Sequence, residues 1–440
     1  MSALVLFNYD WDQIGFARVA GDRPFDTAGF DLFSFPSNAQ LAFFDMERFV
    51  ARLAGQAQSR GWTAVVSNHE QFGALAAALL AERMGWPGTP VNAILRCQHK
   101  LLARQLLQQV CPEANCSFAP LNTRYGEPIP EGLAYPAFVK PVKAAFSVLA
   151  RTVRNRAELQ AHTRFGAWEL WVIRHLVEPF ERVAQARLPG VPSAHNLLLE
   201  APIAGQQYNL DGYVFDNQVH AIGVVDALHY PGTQAFMRFE FPSRLNASVQ
   251  GRALDIAARF LQAAGFSHGM FNMEFFYDAQ TDRLTVIEFN PRMASQFSDL
   301  YLRVQGQDLH AMALALAHGQ DPARLPKRTA TAGAAASFVY RSFVPGVRVV
   351  QPDRAQVLAL QHQFPASLLF CFPKSIGQIA RDFKWLGSYR YGILHLCAAN
   401  ARQLEADCRA ASACLHWPAP FAPILRTDIP ALHTASEAVV

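Results

Sequence analysis

Charge is scarce in this chain. Asp, Glu, Lys and Arg make up 17% of its 440 residues, against about 25% in an average soluble protein. With a hydrophobic fraction of 51%, that shortage excludes a disordered chain, which needs high charge and few apolar residues. Lys and Arg are scattered, form no polybasic tract, and leave a net charge of only +4, so neither nucleic acid nor an anionic membrane is an expected partner. Seven cysteines occur, an odd number with no CxxC pair; Cys111 and Cys116 have no His or Cys partners nearby. That argues against a disulfide framework or a zinc site and for reduced thiols. No apolar run reaches the roughly 18 residues of a membrane helix; Glu82 and Arg83 interrupt the Ala/Leu-rich stretch from Gly73. The first residues carry no basic segment and read as a strand, so a soluble, cytoplasmic protein is expected. Also missing are GxxxxGK[ST], GxSxG, HExxH and a GxGxxG after the first strand, which removes four common enzyme signatures.

What is there alternates. Residues 3–8 and Trp62–Ser67 are apolar runs that read as buried parallel strands. Helical spacing covers Phe44–Leu53 and about Gln71–Met84, the latter stopped by Gly85-Trp86-Pro87-Gly88. This order predicts an open α/β domain over 1–115. A helix from Gln98 carries Lys100 and Arg104 one turn apart. After a Pro-rich connection, Ala137–Pro141 reads as a short strand, and residues 165–200 mix aromatic with loop-forming residues. A small mobile subdomain is expected over 116–200. Strands at Tyr208–Phe215, Val219–Val225, Gly269–Tyr277 and Leu284–Phe289, with a helix at Ala247–Ala264, fill 201–330. Residues 331–440 form a strand-rich extension, with strands near Ala335–Val344 and Gly392–Ala398, a helix at Arg402–Ala413 and an irregular tail. No internal repeat is found.

The chemistry gathers at one hairpin. Asp278–Asp282 is turn chemistry between the strands that carry Glu274 and Glu288. Residues two apart on a strand share a face, so Glu288 and Asn290 point one way and Glu274 can join them. Two acids and an amide among apolar residues are costly to bury without a cation, and hard oxygen donors of this kind suit Mg²⁺ on a polyphosphate. Ion pairing on a solvated hairpin face is the alternative. Arg292 adds a planar fork for carboxylate or phosphate. Asn68-His69-Glu70 follows the second strand, where open sheets bind ligands; it is read as a helix cap. Phe239-Glu240-Phe241 and Phe297–Tyr301 read as core in preference to pocket lining, and Asp226 and His229 stand at a strand end that either borders the site or does not.

Glu288-Phe-Asn-Pro-Arg-Met293, after a strand bearing Asn272-x-Glu274-Phe, resembles the metal-binding hairpin of ATP-grasp ligases. Ala137-Phe-Val-Lys140-Pro-Val resembles that family's strand-borne lysine, and Gln98-His-Lys100 its earlier lysine. Leu198 to Tyr208 resembles the hinge after its lid. The resemblance spans about 98–293 and is greatest to the L-amino-acid ligase, or carboxylate–amine ligase, branch. It implies an α/β ATP-grasp fold: an open α/β N-terminal domain, a small lid subdomain and a larger α+β C-terminal subdomain. It implies ATP and Mg²⁺ as cofactors, with Mn²⁺ an alternative. The metal would lie on Glu274, Glu288 and Asn290. Lys100, Lys140 and Ser147 would contact phosphates, Glu200, Ala201 and Ile203 would meet adenine, and Gln207 would take the place of the usual ribose-binding acid. Arg292 would stabilise an acyl phosphate. The stretch from Lys143 to Arg151 departs from the family in having no glycine, and Lys143 and Ser147 are candidates to replace its amide contacts.

The implied activity is an ADP-forming ligase that joins a small carboxylate, expected to be an amino acid, to an amine, without nucleic acid or membrane; a homodimer is compatible with this. A carboxylase-type enzyme with another acid, and a silent nucleotide-binding scaffold, are the alternatives.

Overall fold

The computed structural model describes residues 2–21, 25–32, 37–144 and 149–421. Its first strand, β1 (Ser2–Leu6), is apolar and buried from Ala3 on because it is the middle strand of a parallel sheet, with β2 (Asp26–Ala28) and β3 (Trp62–Val66) on either side. Helices α1 (Asp10–Ala20), α2 (Met46–Arg60) and α3 (Gly73–Met84) connect and flank these strands. Asp45 caps α2 by accepting from the Arg48 amide at 2.9 Å. Gly85, at φ 68°, closes α3, since only glycine takes a left-handed turn without strain.

Two helices follow, α4 (Val91–Gln98) and α5 (Lys100–Val110), meeting at His99. A second sheet comprises β4 (Phe118–Leu121), β5 (Ala137–Pro141), β6 (Arg151–Val153) and, after helices α6 (Arg156–Thr163) and α7 (Ala167–Arg187), β7 (Leu197–Glu200), in the order β4-β7-β5-β6. The 21-residue α7 falls where the sequence suggested irregular structure. Pro179 inside it and mixed aromatic content hid its periodicity. Its early residues Leu170 and Ile173 pack on the core of the second sheet, with Val139, Val153 and Leu199. Its later residues Val177, Phe180, Val183 and Ala184 join the core of the first, with Leu75, Leu79 and Leu101.

The chain then runs through β8 (Gln206–Phe215), β9 (Gln218–His229), β10 (Phe236–Phe241), α8 (Ala247–Ala264), β11 (Gly269–Asp278) and β12 (Arg283–Asn290). Helices α9 (Ser298–Gln305) and α10 (Leu309–Ala317) precede β13 (Ala334–Ser342), α11 (Arg354–Gln363), β14 (Leu368–Cys371), α12 (Ile376–Leu386), β15 (Tyr389–Ala398) and α13 (Ala401–Cys414). The expected 278–282 turn does pair β11 with β12 in antiparallel register. β10 was not foreseen as a strand.

The chain forms two units. One contains the described residues of 1–224, 245–298 and 308–326, the other those of 225–244, 299–307 and 327–440. In the first, the hairpin lies at one side of the order β12-β11-β8-β9, its apolar face against α8 and α5. In the second, the end of β9 pairs with β10 and the order continues β13-β15-β14 over a core with α13. Phe239, Phe241, Phe297 and Tyr301 are all buried, as core residues are. Among the described residues no helix is long and apolar enough to cross a membrane.

Candidate active site

Strand alternation divides the β11–β12 hairpin into two chemistries. Phe271, Met273, Phe275 and Phe289 are buried in the core, where Phe289 stacks on Phe260 of α8 at 3.7 Å between centroids. The alternate positions are polar. Glu274 stands directly opposite Glu288, and Asn272 opposite Asn290. On the other side of β11, β8 sets Asn209 opposite Glu274 and Asp211 opposite Asn272. Asn290 Nδ2 donates to Asn272 Oδ1 and Glu274 Oε1, both at 3.2 Å. Gln207 Nε2 donates to Glu274 Oε2 at 2.8 Å, and Asn272 Nδ2 to Asp211 Oδ1 at 3.1 Å.

Burial, then the facing Glu288, raises the Glu274 carboxyl well above the usual carboxylate range. Glu288 goes the other way: burial opposes its charge, but Lys100 and Lys140 outweigh it. The predicted ligand set is thus gathered on one face. Its donors are all oxygens, and one carboxyl is driven toward its neutral form by burial and the facing Glu288, so the set fits a hard divalent cation. Among the described residues no cluster of three His, Cys, Asp or Glu side chains suits a metal, so two acids and an amide oxygen are what the hairpin offers.

Cations close in from two elements. Lys100, the first residue of α5, lies 3.0 Å from Glu288 Oε2 and donates to the Ala144 carbonyl at 2.9 Å. Lys140, on β5, is buried and 2.8 Å from Glu200 Oε1. The same carboxylate oxygen accepts from Arg104 Nε at 2.5 Å. Arg104 spends its other donors on Asn115 Oδ1 at 3.1 Å and on the Val286 and Ile287 carbonyls at 2.7 and 3.1 Å, tying the last strand before the hinge to the hairpin. Burial opposes the charge on Glu200, yet Lys140 and Arg104 hold its carboxyl down at about 2. Of the expected adenine-contact residues, Ala201 is exposed and Ile203 half-buried, and the Ala201 amide donates to the Ser117 carbonyl at 2.9 Å. Ser147 lies outside the described residues.

The third side is the carboxyl edge of the first sheet. Arg292, just past β12, reaches Glu70 Oε2 at 2.7 Å. Burial opposes its charge, and Glu70 more than compensates. Glu70 therefore does not cap α3, and neither does Asn68. The N-cap position is Phe72, with no side-chain cap bond, while Asn68 Nδ2 donates to Asp12 Oδ1 at 2.8 Å. The helix begins too late for either residue to reach its free amides. His69 stacks between Phe7 and Tyr9, at 5.3 and 5.0 Å. Asp226 and His229 belong to the second unit, where Asp226 accepts from Ser243 and from the Arg244 amide.

Residues 133–299 match the ATP-grasp domain family. That stretch is similar to an ATP-grasp domain. Carnosine synthase 1 of Gallus gallus is 30% identical over 266 residues, 58% of this chain and 27% of that protein. D-alanine–D-alanine ligase of a Synechococcus species is 26% identical over 178 residues, 40% of this chain and 46% of that one. The chain thus spans less than half the length of these curated relatives. Among solved structures, L-amino acid ligase from Bacillus licheniformis shares the fold with a TM-score of 0.67 at 15% identity, covering 94% of this chain and 98% of that one.

Within the matched residues 133–299 lie Lys140, Glu200, Gln207, Glu274, Glu288, Asn290 and Arg292; Lys100 reaches in from α5. Sequence reasoning missed Glu70, Arg104, Asn209, Asp211 and Asn272 as parts of the site. The polar period-two pattern of Gln207-x-Asn209-x-Asp211 and Asn272-x-Glu274 was a usable signal. Glu70 was findable as the charged residue after a parallel strand. For Arg104, on an amphipathic helix, no signal marked it as buried.

Proposed function

We propose that this chain is an ATP-dependent, ADP-forming carboxylate–amine ligase that takes an amino acid substrate. The observation that carries the reading is the facing pair Glu274 and Glu288, with Asn290 beside them, ringed by Lys100, Lys140 and Arg292. Residues 116–200 and 201–330 would clasp ATP between them, with 1–115 presenting the substrate and 331–440 an extension.

In this reading Lys100 and Lys140 hold the nucleotide phosphates, with Ser147 nearby. The backbone of Glu200, Ala201 and Ile203 meets adenine, and Gln207 meets the ribose. Glu274, Glu288 and the Asn290 amide oxygen would hold Mg²⁺, or Mn²⁺, which when bound neutralises phosphate oxygens as a Lewis acid. Glu200 cannot fully offset both Arg104 and Lys140, so the nucleotide side keeps positive charge for an anionic ligand.

The substrate carboxylate attacks the γ-phosphorus, the bond to ADP breaks, and an acyl phosphate forms. Arg292 takes the new anion in its fork. That fork now holds the Glu70 carboxylate at 2.7 Å, a pairing a substrate carboxylate can replace. An amino acid brings its own ammonium for Glu70 as it does so. This complementarity favours a zwitterion over a simple acid. The amine then attacks the acyl carbon, the bond to phosphate breaks, and an amide forms with loss of the amine proton. The fixed charges act by preorganisation, worth about 10²–10³-fold per group. A cytoplasmic location would supply the ATP that such a reaction draws on.

The test is phosphate release from Mg-ATP with pooled amino acids, comparing wild type with Glu288→Ala. Pool-dependent release that the substitution abolishes is expected. Release from wild type that no pool stimulates would sink the ligase reading.

A further inference from the structure

Lys143 is a buried ammonium that this mechanism does not use. It is 1% exposed and follows Lys140 by three residues. As the start of a connection without glycine, it was a candidate phosphate contact. Its amine instead turns toward the N-terminal domain. Nζ lies 3.1 Å from Gln98 Oε1 and 3.3 Å from the Glu70 backbone carbonyl, and 5.1 Å from the centre of the Phe180 ring on α7. No carboxylate among the described residues comes within ion-pair distance of it. Burial pushes its ammonium down to about 7, against the attraction of Glu70.

The partners form a closed figure. Gln98 Nε2 donates at 2.8 Å to the same Glu70 carbonyl that Lys143 addresses. A carbonyl has two lone pairs, and here both have donors, so the Glu70 main chain is held from two sides. The side chain of Glu70 leaves that fixed point and ends on Arg292. A reciprocal strap lies alongside: the Lys100 amide donates to the Val142 carbonyl at 3.0 Å, and Lys100 Nζ to the Ala144 carbonyl at 2.9 Å. Residues 98–100 and 142–144 therefore hold each other by main chain and side chain together.

We propose that Lys143 is a positioning residue of the substrate site: with Gln98 it fixes the Glu70 main chain so that the Glu70 carboxylate meets Arg292, and it does not bind nucleotide phosphate. The role rests on the ligase reading for its consequence, but the geometry it invokes is tested separately. The cost of burying an amine with only neutral acceptors is offset in part by the two hydrogen bonds it donates, to the Glu70 carbonyl and to Gln98 Oε1.

The full chain carrying Lys143→Met is compared with wild type in three measurements. Amide hydrogen exchange across residues 67–72 is expected to rise about tenfold or more as the loop loosens. In steady-state phosphate release, KM for the amino acid is expected to rise about tenfold, as for a lost hydrogen bond. KM for ATP, and the dissociation constant of a fluorescent ATP analogue, stay within about twofold. Lys143→Arg, which keeps a donor, is expected to recover most of the loss. Gln98→Leu, which leaves Lys143 in place, is expected to reproduce it; agreement between these two guards against misfolding of the first variant. Unchanged exchange, or a tenfold loss of nucleotide affinity, overturns the proposal. Wild type without amino-acid-dependent release would remove the ligase reading alone, since exchange and nucleotide binding still decide where Lys143 acts.

Discussion

Two glutamates of one unit stand in opposite circumstances. Glu200, at the end of β7, is shared by Arg104 at 2.5 Å and Lys140 at 2.8 Å. Despite burial, those cations hold its carboxyl at about 2. Glu274, on β11, has amide donors on its oxygens and another carboxylate opposite, and burial followed by Glu288 drives its carboxyl upward. The chemistry of the side chain is the same; the neighbours differ, two cations in contact with Glu200 and a like charge facing Glu274. A carboxylate saturated by the protein's own cations is part of the frame. One left short of them is a receptor for a charge the chain does not carry.

The sharpest way to break that comparison is to neutralise each acid without changing its shape. Glu274→Gln is expected to lower kcat/KM for ATP by about 10²–10³-fold while leaving the melting temperature close to wild type, read by phosphate release and by thermal unfolding. If stability fell and turnover survived, the hairpin would be the frame. Glu200→Gln should do the reverse first: two buried cations lose their shared anion, a cost of about 3–5 kcal/mol, read as a fall in the urea midpoint.

Acid pH sharpens the same contrast. The Glu200 carboxyl ionises more easily folded than at its ordinary value of 4.5. A group with a lowered folded pKa lends stability that is complete above its unfolded value and lost as pH falls toward the folded one. The gap in urea midpoint between wild type and Glu200→Gln is therefore expected to be full at pH 6 and to close between about pH 4.5 and 2. A constant gap would mean that Glu200 stabilises by packing. The smallest effect lies at the far end of the hairpin. Arg252 and Asp282 pair at 2.6 Å, yet their side chains are 44% and 69% exposed. Arg252→Ala is expected to cost less than about 1 kcal/mol and nothing in turnover.

The hairpin was legible because strand period, turn residues and two acids all occur within a short stretch; what local rules did not show is the register shift between Glu274 and Phe275, which puts Glu274 opposite Glu288 where pairing counted from the turn gives Ile287. Lys100 and Lys140 were legible only through resemblance, since nothing local distinguishes them from solvated lysines. Glu70 and Arg292 are 222 residues apart, and no local rule reads a pairing at that separation; the local signal at Asn68-His69-Glu70 pointed to a cap instead. Arg104 was hidden for a related reason. Its four hydrogen bonds reach β7, β12 and Asn115, so its burial is a property of the assembled core, whereas its helix alone presents it as a surface cation.

The helix α7 bears on how this chain can be recombined with its relatives. Leu170 and Ile173 belong to one core, while Val177, Phe180, Val183 and Ala184 belong to another. A crossover that imported residues 116–200 as a cassette would carry off the plug of the first sheet and leave Leu75 and Leu79 facing a foreign surface. The segment that exchanges cleanly is bounded by which sheet a side chain fills. Here that boundary runs through the middle of a helix.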